Sequence, residues 1–365
     1  MKLIELHILQ SFPVSCLNRD DVGAPKTATF GGITRARISS QCLKRAIRLQ
    51  AKELCPQLYA GERSKLIVLP IAEAAERYGA PAKQALEASK QFCDELATFD
   101  ESAFKKNGLY KVKTLMFLSP AEREEIGKEL AATLKGMEDP KALDKKIKSS
   151  VSKVHEVKLK DAADIALFGR MVATDHSLTV EGAAMFSHAL STHRADNDID
   201  FYTAVDDRQE EDPTVEEEDR AGSGMMGTLE FTSAVYYRYV GLNLGMLGDD
   251  RHLGALSTQD RRTVVNTFLH AAILAVPGAR KNSMNAHTLP CYVLGLVKGK
   301  GQPLQLVNAF EKPVWSRDGL MCTSIAALKE HHEQLKKTWA IKPSVEIAIP
   351  DKPLDQFCAE ILNHV

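Results

Sequence analysis

Strand-like and helix-like patterns follow one another along this chain in an order typical of an α+β fold. The strand-like segments are residues 3–9, 33–38, 228–244 and 292–297. An amphipathic helix is predicted at Asp260–Val276, where Pro277 and Gly278 follow. Another is predicted after Ser39 or Ser40, since either serine can cap it. Strand, helix, insertion, strand, helix, strand fits a ferredoxin-like sheet that carries insertions.

Polar residues interrupt the first two strand-like segments in different ways. LIELHIL (3–9) is aliphatic except at Glu5 and His7, which predicts a strand with one buried face. In ITRARI (33–38), Arg35 and Arg37 fall on one face of an extended segment. We therefore expect both arginines to face the same surroundings as the helix that follows.

Residues 60–160 have a different character, rich in Ala, Lys and Glu at helical spacing. Breaks are expected at Pro81, Gly108 and Pro140. This composition predicts an inserted helical subdomain.

Length and composition favour a reduced cytoplasmic protein. With 365 residues, of which 44% are hydrophobic, the chain can form about two folding units. MKLIELHILQ lacks the uninterrupted apolar block of a signal peptide, and no apolar run approaches the ~20 residues of a membrane helix. The seven cysteines are scattered and form no C-x-x-C pair, so neither a disulfide framework nor a zinc ribbon is indicated.

The formal net charge of −1 conceals strong charge segregation. Residues 22–52 contain seven Lys and Arg residues and no acid. Residues 206–220, DDRQEEDPTVEEEDR, contain nine acids and two arginines. Interspersed charges would suffice for solubility, so this separation indicates two different partners or environments.

The helix expected after Ser39 has one basic and one apolar face. Projection at 100° per residue groups Gln41, Lys44, Arg45 and Arg48 opposite Cys42, Leu43, Ala46 and Ile47. A solvated surface is the simpler interpretation of such a face. However, no acid lies three or four residues away to balance these charges, and serines and N–H groups at the helix start suit a phosphate. The pattern favours a polyanion.

Three further patterns could suggest a cofactor or a metal, and we expect neither. GSGMMG (222–227) matches G-x-G-x-x-G, but an acidic run precedes it and a strand-like segment follows, so a hairpin tip is favoured over a dinucleotide site. The second pattern is a set of aspartates that lacks a positioned third metal ligand, namely Asp20, Asp21, Asp206 and Asp207. The third pattern comprises isolated histidines, which are typical of surface or core positions.

DIDFYTAVDD (198–207) places Phe201 and Tyr202 next to each other in an otherwise polar segment. They either pack at the base of a hairpin or contact nucleobases, as aromatic groups do in single-strand binding. The sequence leaves both interpretations open.

Several of these segments resemble the CasC family, the backbone subunit of the type I-E CRISPR Cascade surveillance complex. The similar segments are SCLNRDD (15–21), FGG (30–32), RISSQ with LKRA (37–46), DIALFGRM (164–171), DIDFYTAVDD (198–207), GTLEF (227–231), YYRY with NL (236–244) and NAFEKPV (308–314). They cover residues 1–50 and 160–315, whereas the helical insertion and the last ~50 residues contribute little.

The resemblance implies an RRM-like palm, an inserted helical fingers subdomain and a β-hairpin thumb. The expected domain limits are 1–59, 161–195 and 229–365 for the palm, 60–160 for the fingers and 196–228 for the thumb. The palm lacks the aromatic pattern of an RNP1 motif, so it is not expected to stack bases as a free-standing RRM does.

The same resemblance implies a non-catalytic scaffold. Copies polymerise along a CRISPR RNA with other Cascade subunits and present spacer bases to the target DNA strand, without a membrane partner. The residues expected to hold RNA phosphates and sugars are Arg19, Lys26, Ser39, Ser40, Gln41, Lys44, Arg45 and Arg48. Those expected to displace a base at intervals are Met171, Phe201, Tyr202 and Thr203. Phosphate and ribose are alike at every position, so backbone contacts leave sequence reading to base pairing.

Two alternatives to this scaffold remain open. A metal-dependent ribonuclease would use Asp20 or Asp21, as backbone subunits of other CRISPR classes use a loop aspartate; a dinucleotide enzyme would use 222–227. The acidic segment 210–224 departs from the family pattern, and acid at a thumb tip cannot hold phosphate.

Overall fold

The structure is a computed structural model that describes residues 1–135, 140–153, 157–172, 176–204, 207 and 225–365. The strands are β1 Leu3–Ser15, β2 Thr27–Phe30, β3 Ile33–Ile38, β4 Glu62–Ser64, β5 Met116–Leu118, β6 Ala184–Phe186, β7 Ala189–Ser191, β8 Asp198–Ala204, β9 Met225–Asn243, β10 Tyr292–Lys298 and β11 Val345–Ile349. The helices are α1 Ser40–Leu54, α2 Val68–Arg77, α3 Ala82–Ala97, α4 Glu101–Asn107, α5 Pro120–Leu134, α6 Pro140–Lys153, α7 Ala163–Phe168, α8 Leu244–Leu247, α9 Thr258–Leu274, α10 Leu320–Trp339 and α11 Leu354–Leu362.

The main sheet is antiparallel and is centred on β1. Its strand order is β11-β10-β1-β9-β7-β3-β2, and β6 and β8 also pair with β9. On one side β1 pairs with β9, from Leu3 opposite Asn243, and on the other with β10, from Leu3 opposite Lys298. An antiparallel sheet combined with many helices confirms the mixed α and β content predicted from the sequence.

One face of the sheet packs against α1, α9 and α11. Ile4, Leu6 and Ile8 of β1 lie in this core with Ile47 of α1 and Phe268 of α9. The apolar arc predicted for α1 therefore packs on the sheet, which leaves its opposite arc outside.

The other face of the sheet is also covered, contrary to the prediction of a half-buried first strand. Residues 306–314 and α10 pack over it, so that Phe310 and Leu328 lie against Tyr237, Tyr239 and other apolar groups. Every residue from Leu3 to Gln10 is buried. The sequence prediction was wrong because the covering segments lie about 300 residues further along the chain.

Glu5 and His7 are buried under this cover and are paired there. Lys298 Nζ lies 2.6 Å from Glu5 Oε2, and the hydroxyl of Tyr239 donates to Glu5 Oε1 at 2.9 Å. His7 Nδ1 lies 2.9 Å from the hydroxyl of Tyr237. Polar groups inside a core need such partners, and these account for the interruptions in LIELHIL.

A second hydrophobic core lies between residues 67 and 178 and is mainly helical. It includes Ile71 of α2, Phe92 of α3 and Leu130 of α5. The predicted breaks occur: Pro81 precedes α3, Gly108 ends α4 with φ of 67°, and Pro140 begins α6. The exact domain limits stay a prediction.

None of the described helices combines the length and the apolar surface needed to span a bilayer.

Strands β8 and the first part of β9 form a two-stranded extension, here called the ribbon (Asp198–Ala204 with Met225–Phe231). All seven residues of β8 are exposed. Beyond the sheet the ribbon has no covering layer among the described residues. Its side chains are thus available to a partner.

Candidate nucleic-acid interface

The N-terminus of α1 is held by a short loop, residues 16–26, here called the early loop. The Ser39 hydroxyl caps α1 by accepting from Cys42 N at 3.2 Å, and Ser39 N donates to Asn18 Oδ1 at 2.8 Å. Ser40 N donates to His188 Nδ1 at 3.0 Å. Ser39 is therefore the helix cap, and three of the N–H groups at the helix start expected to suit a phosphate already have protein acceptors.

The outer face of α1 carries the predicted residues, at different depths. Gln41 and Arg45 are exposed, whereas Lys44 and Arg48 are half-buried. Leu43 and Ile47 are buried, as the helical projection predicted. The amphipathic assignment is confirmed.

Arg48 is held against a buried carboxylate. Its Nη1 lies 3.7 Å from Oδ2 of Asp164, whose side chain is fully buried, and the Arg48 side chain is only 15% exposed. Burial raises the pKa of Asp164, and the charge of Arg48 opposes that rise. Arg48 therefore balances a charge inside the protein besides facing the α1 surface.

Aromatic rings hold the neighbouring cations. Lys44 Nζ lies 5.4 Å from the centroid of the Phe186 ring, and the Arg48 and Arg63 guanidinium groups lie 5.3 and 4.9 Å from that of Phe117. Burial lowers the pKa of Lys44, and the positive charge of Arg63 lowers it further. Arg48, Lys52 and Arg63 thus all lie near the carboxylate of Asp164, and their positive charges exceed its one negative charge.

Arg19, Lys26 and Arg45 form the least neutralised part of this surface. None of them makes an ion pair with any described acid. Lys26 N donates to Asn18 O at 2.9 Å and Lys26 O accepts from Arg37 N at 2.8 Å, so the early loop is fixed to β3. The loop therefore brings two cations beside the start of α1.

Arg35 does not belong to this surface, which corrects the expectation from ITRARI. It is fully buried and donates to four backbone carbonyls, those of Phe310 at 2.7 Å, Ser191 at 3.1 Å, Phe30 at 3.2 Å and Glu311 at 3.3 Å. Arg37 is half-buried and donates to Thr27 O. Arg35 joins the sheet to the segment that covers it and cannot contact an external anion.

The aspartates of the early loop shape the loop itself. Asp20 Oδ1 accepts from Val22 N at 3.1 Å and from Ala24 N at 2.9 Å, a pattern typical of an Asx turn. Asp21 is exposed. Across the described ranges, no three His, Cys, Asp or Glu side chains are grouped to hold a metal ion.

The two aromatic residues of the ribbon are exposed to different extents. Phe201 is 78% exposed and Thr203 is exposed, whereas the Tyr202 ring lies over Gly227, where an added Cβ would be 2.5 Å from the ring. Hairpin-base packing is therefore wrong for Phe201 and partly right for Tyr202. At the ribbon base, Asn197 Nδ2 donates to Pro25 O at 3.3 Å, which connects the ribbon to the early loop.

Met171 lies in a separate segment and is 80% exposed. The preceding Arg170 is buried, donates to Leu178 O at 2.9 Å and lies 2.6 Å from Glu122. The backbone is thus fixed immediately before the exposed methionine.

The comparison with protein families decides the identity of the chain. A family model described as CT1975-like protein matches residues 4–359. The chain belongs to the CT1975-like family. This confirms the family resemblance that the sequence motifs indicated.

Solved structures agree with this family. A chain of a CRISPR RNA-guided surveillance complex, pre-nicking, is 27% identical with a TM-score of 0.79, and the match covers 98% of this chain and 99% of that one. A chain of a CRISPR RNA-guided surveillance complex matches with a TM-score of 0.69 and 22% identity over 100% of both, which concerns the fold alone. No curated protein sequence matches the chain.

Sequence reasoning missed two basic groups near this surface. Arg63 lies on β4, in the helical insertion, and only its tertiary contact with Phe117 reveals it. The other group is Arg280 and Lys281, in a stretch (residues 261–310) that contains six Lys and Arg residues and no acid, a signal that was readable in the sequence. The acidic segment 210–224 lies outside the described residues, and so does the first half of the glycine motif, Gly222–Gly224. The second half, Met225–Gly227, begins strand β9, whereas a dinucleotide site needs a helix at this point.

Proposed function

We propose that this family member is a non-catalytic subunit that holds the backbone of a guide RNA within a CRISPR surveillance complex. The observation that carries the proposal is the unneutralised basic surface of Arg19, Lys26 and Arg45 beside the N-terminus of α1. A polyanion is the partner that such a surface attracts, and phosphate contacts leave base edges free for pairing. The 27% identical structure, itself part of an RNA-guided surveillance complex, supports the same role.

The strand order supports an RRM-like palm. In chain order β1, α1, β7, β9, α9 and β10 form a β-α-β-β-α-β series, and in space β10, β1, β9 and β7 are neighbours. Both helices lie on one face, and α10 covers the other. Bases cannot stack on a sheet face that is already covered, so RNA would bind along α1 and the early loop. The helical core would then be the fingers, and the ribbon the thumb.

Copies of the chain would polymerise along the RNA together with other subunits of the complex. The exposed Phe201 and Met171 would contact bases at intervals, and the remaining bases would pair with the target DNA strand. An apolar group exposed on a rigid segment is suited to displace a base from its stack. The cytoplasmic location expected from the sequence is also part of this proposal.

The proposal is tested by replacing the α1 cations that do not balance a buried charge. Lys44→Ala with Arg45→Ala should weaken binding to single-stranded RNAs of unrelated sequence about equally, because phosphates carry no base information. Losing two contacts should flatten log K against log salt by about 1.4. Lys342→Ala, which removes an exposed cation elsewhere, is the control. Unchanged affinity and salt slope in the double variant would contradict the proposal.

The non-catalytic part of the proposal needs its own experiment. The assembled protein is incubated with RNA and Mg²⁺, beside Asp20→Ala and Asp21→Ala variants. Intact RNA is expected in every sample. Cleavage that the Asp20 or Asp21 variant abolishes would instead identify a ribonuclease.

A further inference from the structure

The loop that follows α9 is backbone-strained at an arginine. Arg280 has φ of 54°, a left-handed conformation that residues other than glycine rarely adopt. Its carbonyl closes the turn by accepting from Ser283 N at 3.1 Å and Met284 N at 2.8 Å. Strain of this kind persists where the surroundings hold it and is concentrated at ligand-binding sites.

The turn forms a basic depression. Gly278, Arg280, Lys281, Asn282 and Ser283 line a depression of about 500 Å³. Lys281 and Asn282 are exposed. Arg280 Nε is shielded from water and has no hydrogen-bond partner among the described residues. A buried donor without a protein partner is completed by an ordered water or by a bound anion.

The stretch of chain around this loop carries no acid, and Asp20 and Glu230 are the acids whose charges act on the same Cys16 thiol as Arg280. The nearest acids in sequence are Asp260 and Glu311, so the loop lies within 50 residues that carry only positive charge. In the described ranges, Arg280 and Lys281 make no ion pair. The site is therefore suited to an anion.

The loop lies beside the early loop. Val276 and Ala286, on either side of the turn, pack in one hydrophobic cluster with Leu17 of the early loop and Leu43 of α1. Burial raises the pKa of the nearby Cys16 thiol, and the positive charges of Arg280 and Arg19 oppose that rise. The chain after the turn is fixed to β1, because Gln10 Nε2 donates to Thr288 O at 2.6 Å and Thr288 Oγ1 donates to Ser11 O at 2.6 Å. The depression thus adjoins the proposed RNA surface.

We propose that residues 279–283 form a second phosphate-binding element, in which Arg280 contacts an RNA phosphate outside the reach of α1. This inference rests on the proposed RNA-binding function. The turn sets the direction of the Arg280 guanidinium, and Lys281, Asn282 and Ser283 supply further donors at the rim. The element extends the RNA path from the early loop towards the end of α9.

Arg280→Gly is the decisive variant, because glycine adopts φ of 54° without strain and so keeps the turn while removing the guanidinium. We expect it to bind single-stranded RNA about tenfold more weakly at low salt, as for the loss of one charged hydrogen bond. The salt slope should flatten by about 0.7. Arg280→Lys should keep the slope and lose part of the affinity, since it keeps the charge without the fork.

Measuring Lys44→Ala with Arg45→Ala in the same assay separates the two proposals. Weak binding by the α1 variant, together with wild-type binding by Arg280→Gly, would overturn the second element and leave the proposed function intact. Wild-type binding by both would overturn both. Circular dichroism and the melting temperature of Arg280→Gly, expected to equal the wild-type values, establish that any loss of binding is not a loss of folding.

Discussion

At the scale of single residues, Arg48 both faces the α1 surface and makes an ion pair with the buried Asp164. We predict that Arg48→Ala lowers the free energy of unfolding by about 2–3 kcal/mol, because Asp164 is left buried without its ion-pair partner. The pKa of Asp164 is already raised by burial, and losing Arg48 would raise it further. The loss of stability should therefore grow as pH rises above that pKa and shrink as Asp164 takes up a proton. Urea unfolding at several pH values measures it.

Two variants complete this measurement. Arg45→Ala, on the same face but exposed, should change stability by less than about 0.5 kcal/mol. Adding Asp164→Asn to Arg48→Ala should restore part of the loss. Full stability of Arg48→Ala at neutral pH would show that Asp164 does not depend on it.

The same residues show how far the sequence predicts this site. The helical projection placed Leu43 and Ile47 inside and Arg45 outside correctly, because helical periodicity is a local property. The projection could not show that Arg48 is paired with a buried acid whereas Arg45 is exposed, because Asp164 lies 116 residues further along the chain. Arg35 was misplaced for the same reason, because its acceptors include the carbonyl of Phe310.

At the scale of elements, the ribbon is the clearest candidate for a contact between macromolecules. We predict that Phe201→Ala leaves the monomer's stability unchanged within about 0.5 kcal/mol, because its side chain is 78% exposed. Assembly on RNA should weaken by about 1–3 kcal/mol if the ring contacts a base. Thermal unfolding measures the stability of the monomer, and sedimentation with RNA measures the assembly.

Ile199→Ala is the matched control, because Ile199 is 62% exposed on the same strand and lacks a ring. Equal losses of assembly in both variants would indicate a general apolar contact and would count against base contact by Phe201. A loss of thermal stability in Phe201→Ala would show that the ring packs within the protein.

Element prediction succeeded where hydrophobic periodicity was continuous and failed where burial came from distant segments. The strands at 33–38 and 292–298 and the helix at 258–274 were found nearly to the residue. The first strand was assigned one polar face, because nothing in LIELHIL reveals that α10 covers it. Tertiary cover of this kind overrides a local pattern.

At the scale of the whole molecule, the two covered faces of the sheet make stability sensitive to acid. Burial, together with the charges of His332 and Lys298, lowers the pKa of His7 from 6.5 to about 3. The unfolded chain therefore binds a proton between pH 6.5 and about 3 that the folded protein does not. We predict that this histidine contributes a decline in stability of up to about 1.4 kcal/mol per pH unit as pH falls through that range.

His7→Gln removes the titrating group and tests this assignment. Its own stability is expected to be lower, since the contact with Tyr237 changes, so the slope with pH is compared and not the absolute value. The slope between pH 6.5 and 4 should be smaller in the variant. Identical slopes in both proteins would assign the acid sensitivity to other groups.

Strand β9 runs without a break from the ribbon into the middle of the sheet, where it pairs with β1 from Ser15–Thr232 to Leu3–Asn243. A pull on the ribbon therefore acts along the axis of a central strand. The hydrogen bonds to β1 lie perpendicular to that axis, so they are loaded together in shear and not opened one by one. An attachment through such a strand resists force well, because many hydrogen bonds must break at once.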